Sequence, residues 1–163
     1  MVWCTDITYV WTLQGWLYLA VVMDLFSRKI VGWAMSNHLK ASLVKEALST
    51  AYWRRKPESG LIHHSDRGSQ YAGGNYRKLL EQYGMICSMS RKGDCWDNAV
   101  VESFFHSLKT EWISDTIYRT RDDARSDVIR YIEMFYNSHR LHSFLGYKTP
   151  NALESNFTLL KVA

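Results

Sequence analysis

The sequence predicts an α/β domain built on a five-stranded mixed sheet, an antiparallel meander of three strands followed by two strand–helix units, flanked by helices and closed by a helical C-terminal tail. Three observations carry this. Residues 2–35 hold three apolar, β-branched runs joined by short polar links. From residue 41 the apolar spacing changes from the strand period to the helix period. Two further short apolar runs, 61–65 and 85–89, alternate with helical stretches. The 163 residues, 47% hydrophobic and 22% charged, suffice for a packed core without disulfides or a structural metal.

Each element has its own reason. Val2–Trp11 (VWCTDITYVW) is rich in β-branched and aromatic residues, and Thr12-Leu13-Gln14-Gly15 is a hairpin-like link. Trp16–Met23 is apolar throughout, as in a strand covered on both faces. Asp24–Ser27 turns the chain into a third strand, Arg28–Met35. Ala41, Val44, Ala47, Leu48 and Ala51 fall on one helix face, and the helix ends before Pro57 and Gly60. Leu61–Ser65 is a strand running into Asp66-Arg67-Gly68; residues 75–83 are a helix stopped by Gly84; Met85–Met89 is the fifth strand. A polar loop, Ser90–Trp96, precedes a helix capped by Asp97 or Asn98 and carrying Val100, Val101, Phe104, Leu108 and Trp112. Thr120-x-x-Asp123 is a capping box opening a helix with Ala124, Val128, Tyr131, Ile132 and Phe135 inward. Thr149-Pro150 starts a terminal helix. Residues 1–118 read as the core and 119–163 as a helical extension packed on it, together one structural unit.

Composition excludes several classes. The longest apolar run is eight residues, Trp16–Met23, far short of the roughly 20 a spanning helix needs. No basic segment followed by an apolar one opens the chain, so no secretory signal is read. Cys4, Cys87 and Cys95 are odd in number and lack a Cys-x-x-Cys spacing, which argues against a disulfide framework or thiolate zinc site and for reduced thiols in a cytoplasmic setting. The net charge of +4 permits a polyanionic partner without demanding one.

Three carboxylates stand apart. Asp6 interrupts an apolar strand, where a carboxylate needs a partner, a hydrogen-bond network or a metal. Asp66 sits where a strand ends; alone it would pass for a turn residue. Glu102 lies in the helix with Val101, Phe104 and Phe105; alone it would pass for a helix-surface acid. Such a trio of hard oxygen donors, two on neighbouring strands and one on an overlying helix, suits Mg²⁺ or Mn²⁺ and metal-assisted phosphoryl transfer. Lys109 is seven residues beyond Glu102, on the same helix face, where a cation would meet phosphate. His106 shares that face, but a zinc pair lacks further ligands.

At these residues the sequence resembles the OrfB-type transposases of insertion sequences. Trp3-Cys4-Thr5-Asp6-Ile7-Thr8-Tyr9 resembles their first-aspartate motif, and Asp24–Trp33 the segment that follows it. His64-Ser65-Asp66-Arg67-Gly68-Ser69-Gln70-Tyr71 resembles the second-aspartate motif. Asp97–Phe105 with Lys109 resembles the glutamate motif, and 35 residues separate Asp66 from Glu102. Tyr136-Asn137-Ser138-His139-Arg140-Leu141-His142, Leu145-Gly146-Tyr147 and Thr149-Pro150 resemble the C-terminal signature. The resemblance covers residues 2–155. It implies the RNase H-like fold of retroviral-integrase catalytic cores, with Asp6, Asp66 and Glu102 as catalytic, metal-binding residues for two Mg²⁺ (or Mn²⁺) ions. It further implies a DNA partner, hydrolysis at transposon ends, 3′-OH strand transfer, and a homodimer or higher assembly. Family members carry an upstream helix-turn-helix region, supplied partly by an OrfA product; here the first motif begins at residue 2, so the chain reads as the core without that part.

Further basic groups are candidates for DNA contact: Arg91 and Lys92 in the loop before the glutamate helix, Arg140 in the tail, and His64 two residues before Asp66. The same residues leave two alternatives open. One is a truncated, non-catalytic DNA-binding or dimerisation module; the other is an RNase H-like nuclease.

Overall fold

The computed structural model describes residues 1–66, 68–89 and 99–162, with side chains to residue 158. The strands are β1 (Val2–Val10), β2 (Leu17–Asp24), β3 (Ile30–Ser36), β4 (Ile62–Ser65) and β5 (Ile86–Met89). They form one sheet in the order β3-β2-β1-β4-β5. β1–β2 and β2–β3 pair antiparallel, while β1–β4 and β4–β5 pair parallel. This is the predicted meander followed by two strand–helix crossovers.

The helices are α1 (Ala41–Arg55), a single turn α2 (Ser69–Ala72), α3 (Gly74–Gln82), α4 (Ala99–Ser107), α5 (Arg121–Arg130) and α6 (Pro150–Val162). They cover both faces of the sheet. On one face Trp3, Ala20, Val22 and Ala34 pack against Val44, Ala47 and Leu48 of α1 and against Tyr71, Tyr76 and Leu80. On the other, Cys4, Val10, Leu19, Val21 and Met23 pack against Val101, Phe104 and Phe105 of α4 and Ala124 and Val128 of α5. β2 lies between two strands and two helical layers, so all but one of its residues are buried and its sequence shows no polar alternation. Gly32 on β3 allows α1 to lie close: a Cβ there would stand 2.5 Å from the Ala47 carbonyl and the Ala51 side chain.

Local chemistry follows expectation at two helix starts. Thr120 and Asp123 form both halves of the capping box, and the Thr149 hydroxyl accepts from the Ala152 N–H at 3.1 Å. The structure departs from the sequence reading at three points. The turn α2 precedes α3, bracketed by Gly68 and Gly73 and held by the buried Tyr71. The helices begun by α4 and α5 end in wider, π-helical turns, Leu108–Trp112 and Tyr131–Tyr136. There large rings pack between the two helices, with Trp112 5.4 Å from Tyr131 and Phe104 4.7 Å from Tyr136. A strict 3.6-residue template does not anticipate that crowding. Ser90–Trp96 and its capping residues Asp97 and Asn98 lie outside the described residues.

The tail is fastened to the meander. The buried Asn137 accepts from the Ile30 N–H at 3.0 Å and donates to the Ile30 carbonyl at 3.1 Å. Arg125 donates to the Met35 carbonyl at 3.1 Å, and Glu154 on α6 accepts from Ser27 at 2.8 Å. No helix of the described residues is long and apolar enough to cross a membrane.

Candidate active site

The parallel ladder of β1 and β4 runs from Val2 opposite Ile62 to Thr5 opposite Ser65. The next residue on each strand is Asp6 and Asp66, so the register sets the two carboxylates side by side where β4 ends. Sites of α/β proteins commonly form at the carboxyl ends of parallel strands. Alternation along β1 decides which way they face. Cys4 and Val10 belong to the core under α4, so Asp6, between them at even spacing, faces α4 as well. α4 buries Val101, Phe104 and Phe105 against the sheet and leaves Glu102 exposed beside that edge.

Electrostatics ties the three together. The Asp6 carboxyl is pushed up to about 6. Burial is the main cause; a 2.7 Å bond from the Ile7 N–H opposes it, and the charges of Asp66 and Glu102 add to the rise. Asp66 is held differently. Its Oδ1 accepts from the Gly68 N–H at 2.9 Å, an Asx-type turn. A Cβ at Gly68 would stand 2.9 Å from that same oxygen, so only glycine leaves the carboxylate uncovered. Among the described residues, no three His, Cys, Asp or Glu side chains are gathered tightly enough to enclose a metal ion. The three are near enough for the charges of Asp66 and Glu102 to act on Asp6.

The donor set suits a hard divalent cation. It is all oxygen, and no cationic side chain among the described residues is one of the groups that set the Asp6 titration. Behind it lies support that sequence reasoning missed. Tyr71 is buried, with its hydroxyl 3.4 Å from the Thr5 hydroxyl, which in turn donates to the Val21 carbonyl at 2.7 Å. Burial raises the Tyr71 phenol well above its ordinary value, and the Asp6 and Asp66 charges raise it further. The glycine two residues after Asp66 is a visible turn signal; Tyr71 closes the second-aspartate motif, but nothing in the local sequence shows that it meets Thr5.

Lys109 falls in the wider turn beyond α4, exposed, its amine 4.8 Å from the centre of the Tyr9 ring. His64 is buried on the sheet, Nδ1 3.0 Å from the Ser88 hydroxyl on β5. Arg140 makes a bidentate pair with Glu111, at 2.8 and 2.6 Å. His106 is exposed on α4. Arg91 and Lys92 lie outside the described residues.

The sheet order, the two aspartates on adjoining parallel strands and the covering glutamate helix define an RNase H-like core of the integrase type. The chain belongs to the integrase core domain family, which it matches over residues 1–95 and again over 83–150. It is 48% identical over 153 residues to the transposase of insertion sequence element IS904 from Lactococcus lactis, covering 94% of this chain and 60% of that protein. It is likewise 48% identical to transposase InsF of insertion sequence IS3A from Escherichia coli, covering 94% and 53%. The chain thus spans little more than half the length of the curated relatives it matches. Its backbone is similar to a chain in the structure of the simian T-cell lymphotropic virus intasome in complex with PP2A regulatory subunit B56 gamma, with TM-score 0.76 and 20% identity over 93% of this chain and 53% of that one. It is also similar to the HTLV-2 integrase catalytic core domain solved with magnesium, with TM-score 0.70 and 15% identity over 93% and 94%.

Proposed function

We propose that this chain is the catalytic core of a DNA transposase, a DDE polynucleotidyl transferase acting at transposon ends. The register that sets Asp6 beside Asp66, facing the helix that bears Glu102, carries this reading. Catalysis by such a site is positioning and charge neutralisation rather than covalent chemistry. Asp6, Asp66 and Glu102 would hold two Mg²⁺ or Mn²⁺ ions, which activate an attacking oxygen and stabilise a leaving one.

The chain's own residues supply the rest. The Gly68 N–H fixes one oxygen of Asp66 and leaves the other free to bind. Burial keeps bulk water from Asp6, so its charge is poorly screened and available to a cation. Lys109, beside Tyr9, offers a positive charge to DNA phosphate, and Arg91 and Lys92 are assigned the same role. In the first step water bonds to phosphorus as the P–O3′ bond breaks, leaving a 3′-OH and a 5′-phosphate. In the second that 3′-OH bonds to a phosphorus of another strand, whose own 3′ oxygen leaves.

Residues 119–163 are read as an extension of the 1–118 core within one structural unit. A helix-turn-helix part, a homodimer or higher assembly, and a cytoplasmic setting complete the proposal; the 48% identical transposases are longer than this chain, which leaves room for the first of these. A site built of unpaired carboxylates favours catalysis over a purely DNA-binding role.

Nicking and strand transfer on supercoiled plasmid in Mn²⁺ or Mg²⁺ test the reading. Wild type should convert plasmid, and Asp66→Asn should lose about 10³-fold or more of that activity, as expected when a charge-stabilising group is removed. Equal activity in the two proteins would sink the assignment.

A further inference from the structure

Between α4 and the tail lies a cavity of about 500 Å³. Ser103 of α4 lines it, one residue and about 100° around the helix from Glu102. Its other walls are Arg28 from the β2–β3 turn and Arg140, His142, Phe144 and Tyr147 from the tail.

Four observations give this cavity a ligand. First, its size is that of small-molecule sites, roughly 300–1,000 Å³. Second, it holds two guanidinium groups: Arg140 is shared with Glu111, whereas no carboxylate among the described residues pairs with Arg28, and after burial both arginines help push His142 down to about 4 against the opposing charge of Glu111. Third, Arg28 Nε and His142 Nε2 are shielded from solvent without a hydrogen-bond partner among the described residues. Such orphaned groups are rare and costly in native structures. Fourth, Arg28 and Tyr147 both adopt left-handed backbone, with φ of 61° and 58°. Neither is glycine, and two such residues facing one cavity indicate side chains retained for use there.

The aromatic walls narrow the chemistry. The Arg28 guanidinium stacks 4.1 Å from the centre of the Phe144 ring, presetting both. Phe144 and Tyr147 are each 72% exposed. Cations beside open ring faces are how proteins take single-stranded nucleic acid, phosphate on the cation and base on the ring. A flat duplex backbone needs no cavity.

We propose that this cavity seats one unpaired nucleotide of the DNA strand flanking the reacting phosphodiester. Its phosphate lies against Arg28 and Arg140, and its base against Phe144 and Tyr147. The inference rests on the transposase-core reading for its DNA, but its test does not require catalysis.

The test is fluorescence anisotropy of a labelled single-stranded DNA octamer, its duplex and an RNA octamer of the same sequence, in EDTA, with the full chain. Wild type should prefer the single-stranded DNA to the duplex. Phe144→Ala, which removes an exposed ring, should weaken single-strand binding roughly tenfold and leave duplex binding unchanged. Arg28→Gly should weaken it similarly without lowering the thermal midpoint, since glycine accepts the left-handed backbone. No single-strand binding by wild type, unchanged affinity in Phe144→Ala, or tighter RNA binding would each overturn the proposal. If Phe144→Ala loses binding while the plasmid assay shows no cleavage, the cavity stands and the catalytic reading falls. If wild type cleaves plasmid and Phe144→Ala binds single strands as wild type does, the catalytic reading stands and the cavity proposal falls.

Discussion

Two partly buried acids receive opposite treatment in this molecule. Glu154 on α6 sits among Ser27, at 2.8 Å, Lys29, at 3.1 Å, and Arg55. Burial alone would raise its carboxyl, yet the bonds from Arg55, Ser27 and Lys29 hold it below the usual range. Among the described residues, Asp6 on β1 has only the Ile7 N–H to oppose burial, and its charged neighbours are two more carboxylates. Glu133 follows the first pattern, bonded by Trp33 at 2.9 Å and Arg54 at 2.7 Å, as does Glu111 with Arg140. The chain has 20 Lys and Arg residues and places several of them on its fastening acids. None of those described is among the groups that set the Asp6 titration. Acids that hold the fold are neutralised from within; the carboxylates around Asp6 are, on the function proposed above, left for a cation from outside.

The largest effect on stability should come from Asp6→Asn. A carboxyl whose folded value is raised from 3.8 to about 6 favours the protonated fold. Its contribution is fully present below about pH 4 and is lost as pH rises through 6, because the folded state then holds a proton the unfolded state has released. At 1.36 kcal/mol per unit, ionised Asp6 costs about 3 kcal/mol at most at pH 7.5. Asp6→Asn should therefore raise the thermal midpoint at pH 7.5 and leave it unchanged near pH 4. Added Mg²⁺ should raise the wild-type midpoint and not that of the variant. A variant less stable than wild type at pH 7.5 would break the contrast with Glu154.

Glu154→Gln should act with the opposite sign and smaller size. It leaves Arg55 and Lys29 without their shared anion, at a cost of about 1–2 kcal/mol. That lowers the midpoint by about 2–8 °C for a chain of this length. Calorimetry at low and high salt checks it, and a midpoint equal to wild type at low salt would show that the cluster fastens nothing.

The contrast between the two acids is only half legible in the sequence. Asp6 is conspicuous because β1 is otherwise uncharged, and strand periodicity fixes its face. The meander, both crossovers and the Thr120 capping box are local signals, and local signals survive in sequence. Glu154 is not visible as a fastening acid, because its partners are 99 to 127 residues away and no periodicity links them. Tyr71 is hidden for the same reason: its hydroxyl meets Thr5 across 66 residues. The π-helical turns escape because they answer to rings of another helix. His64 reads as a group beside the site because it is two residues from Asp66; the partner that buries it, Ser88, comes from a different strand.

Lys109 gives the smallest expected effect and separates the two kinds of charge most finely. It belongs to neither group, since its amine lies over the Tyr9 ring, 4.8 Å from the centre. Exposed cation–π contacts contribute about 0.5–1 kcal/mol, so Lys109→Gln should shift the midpoint by only a few degrees. If the lysine serves phosphate, as proposed, the variant should bind duplex DNA about two- to fivefold more weakly at about 100 mM salt, and the slope of log affinity against log salt should fall by about one, the signature of a single lost phosphate contact. An unchanged slope would return Lys109 to the fastening group and leave the neighbourhood of the carboxylates without a protein cation for DNA among the described residues.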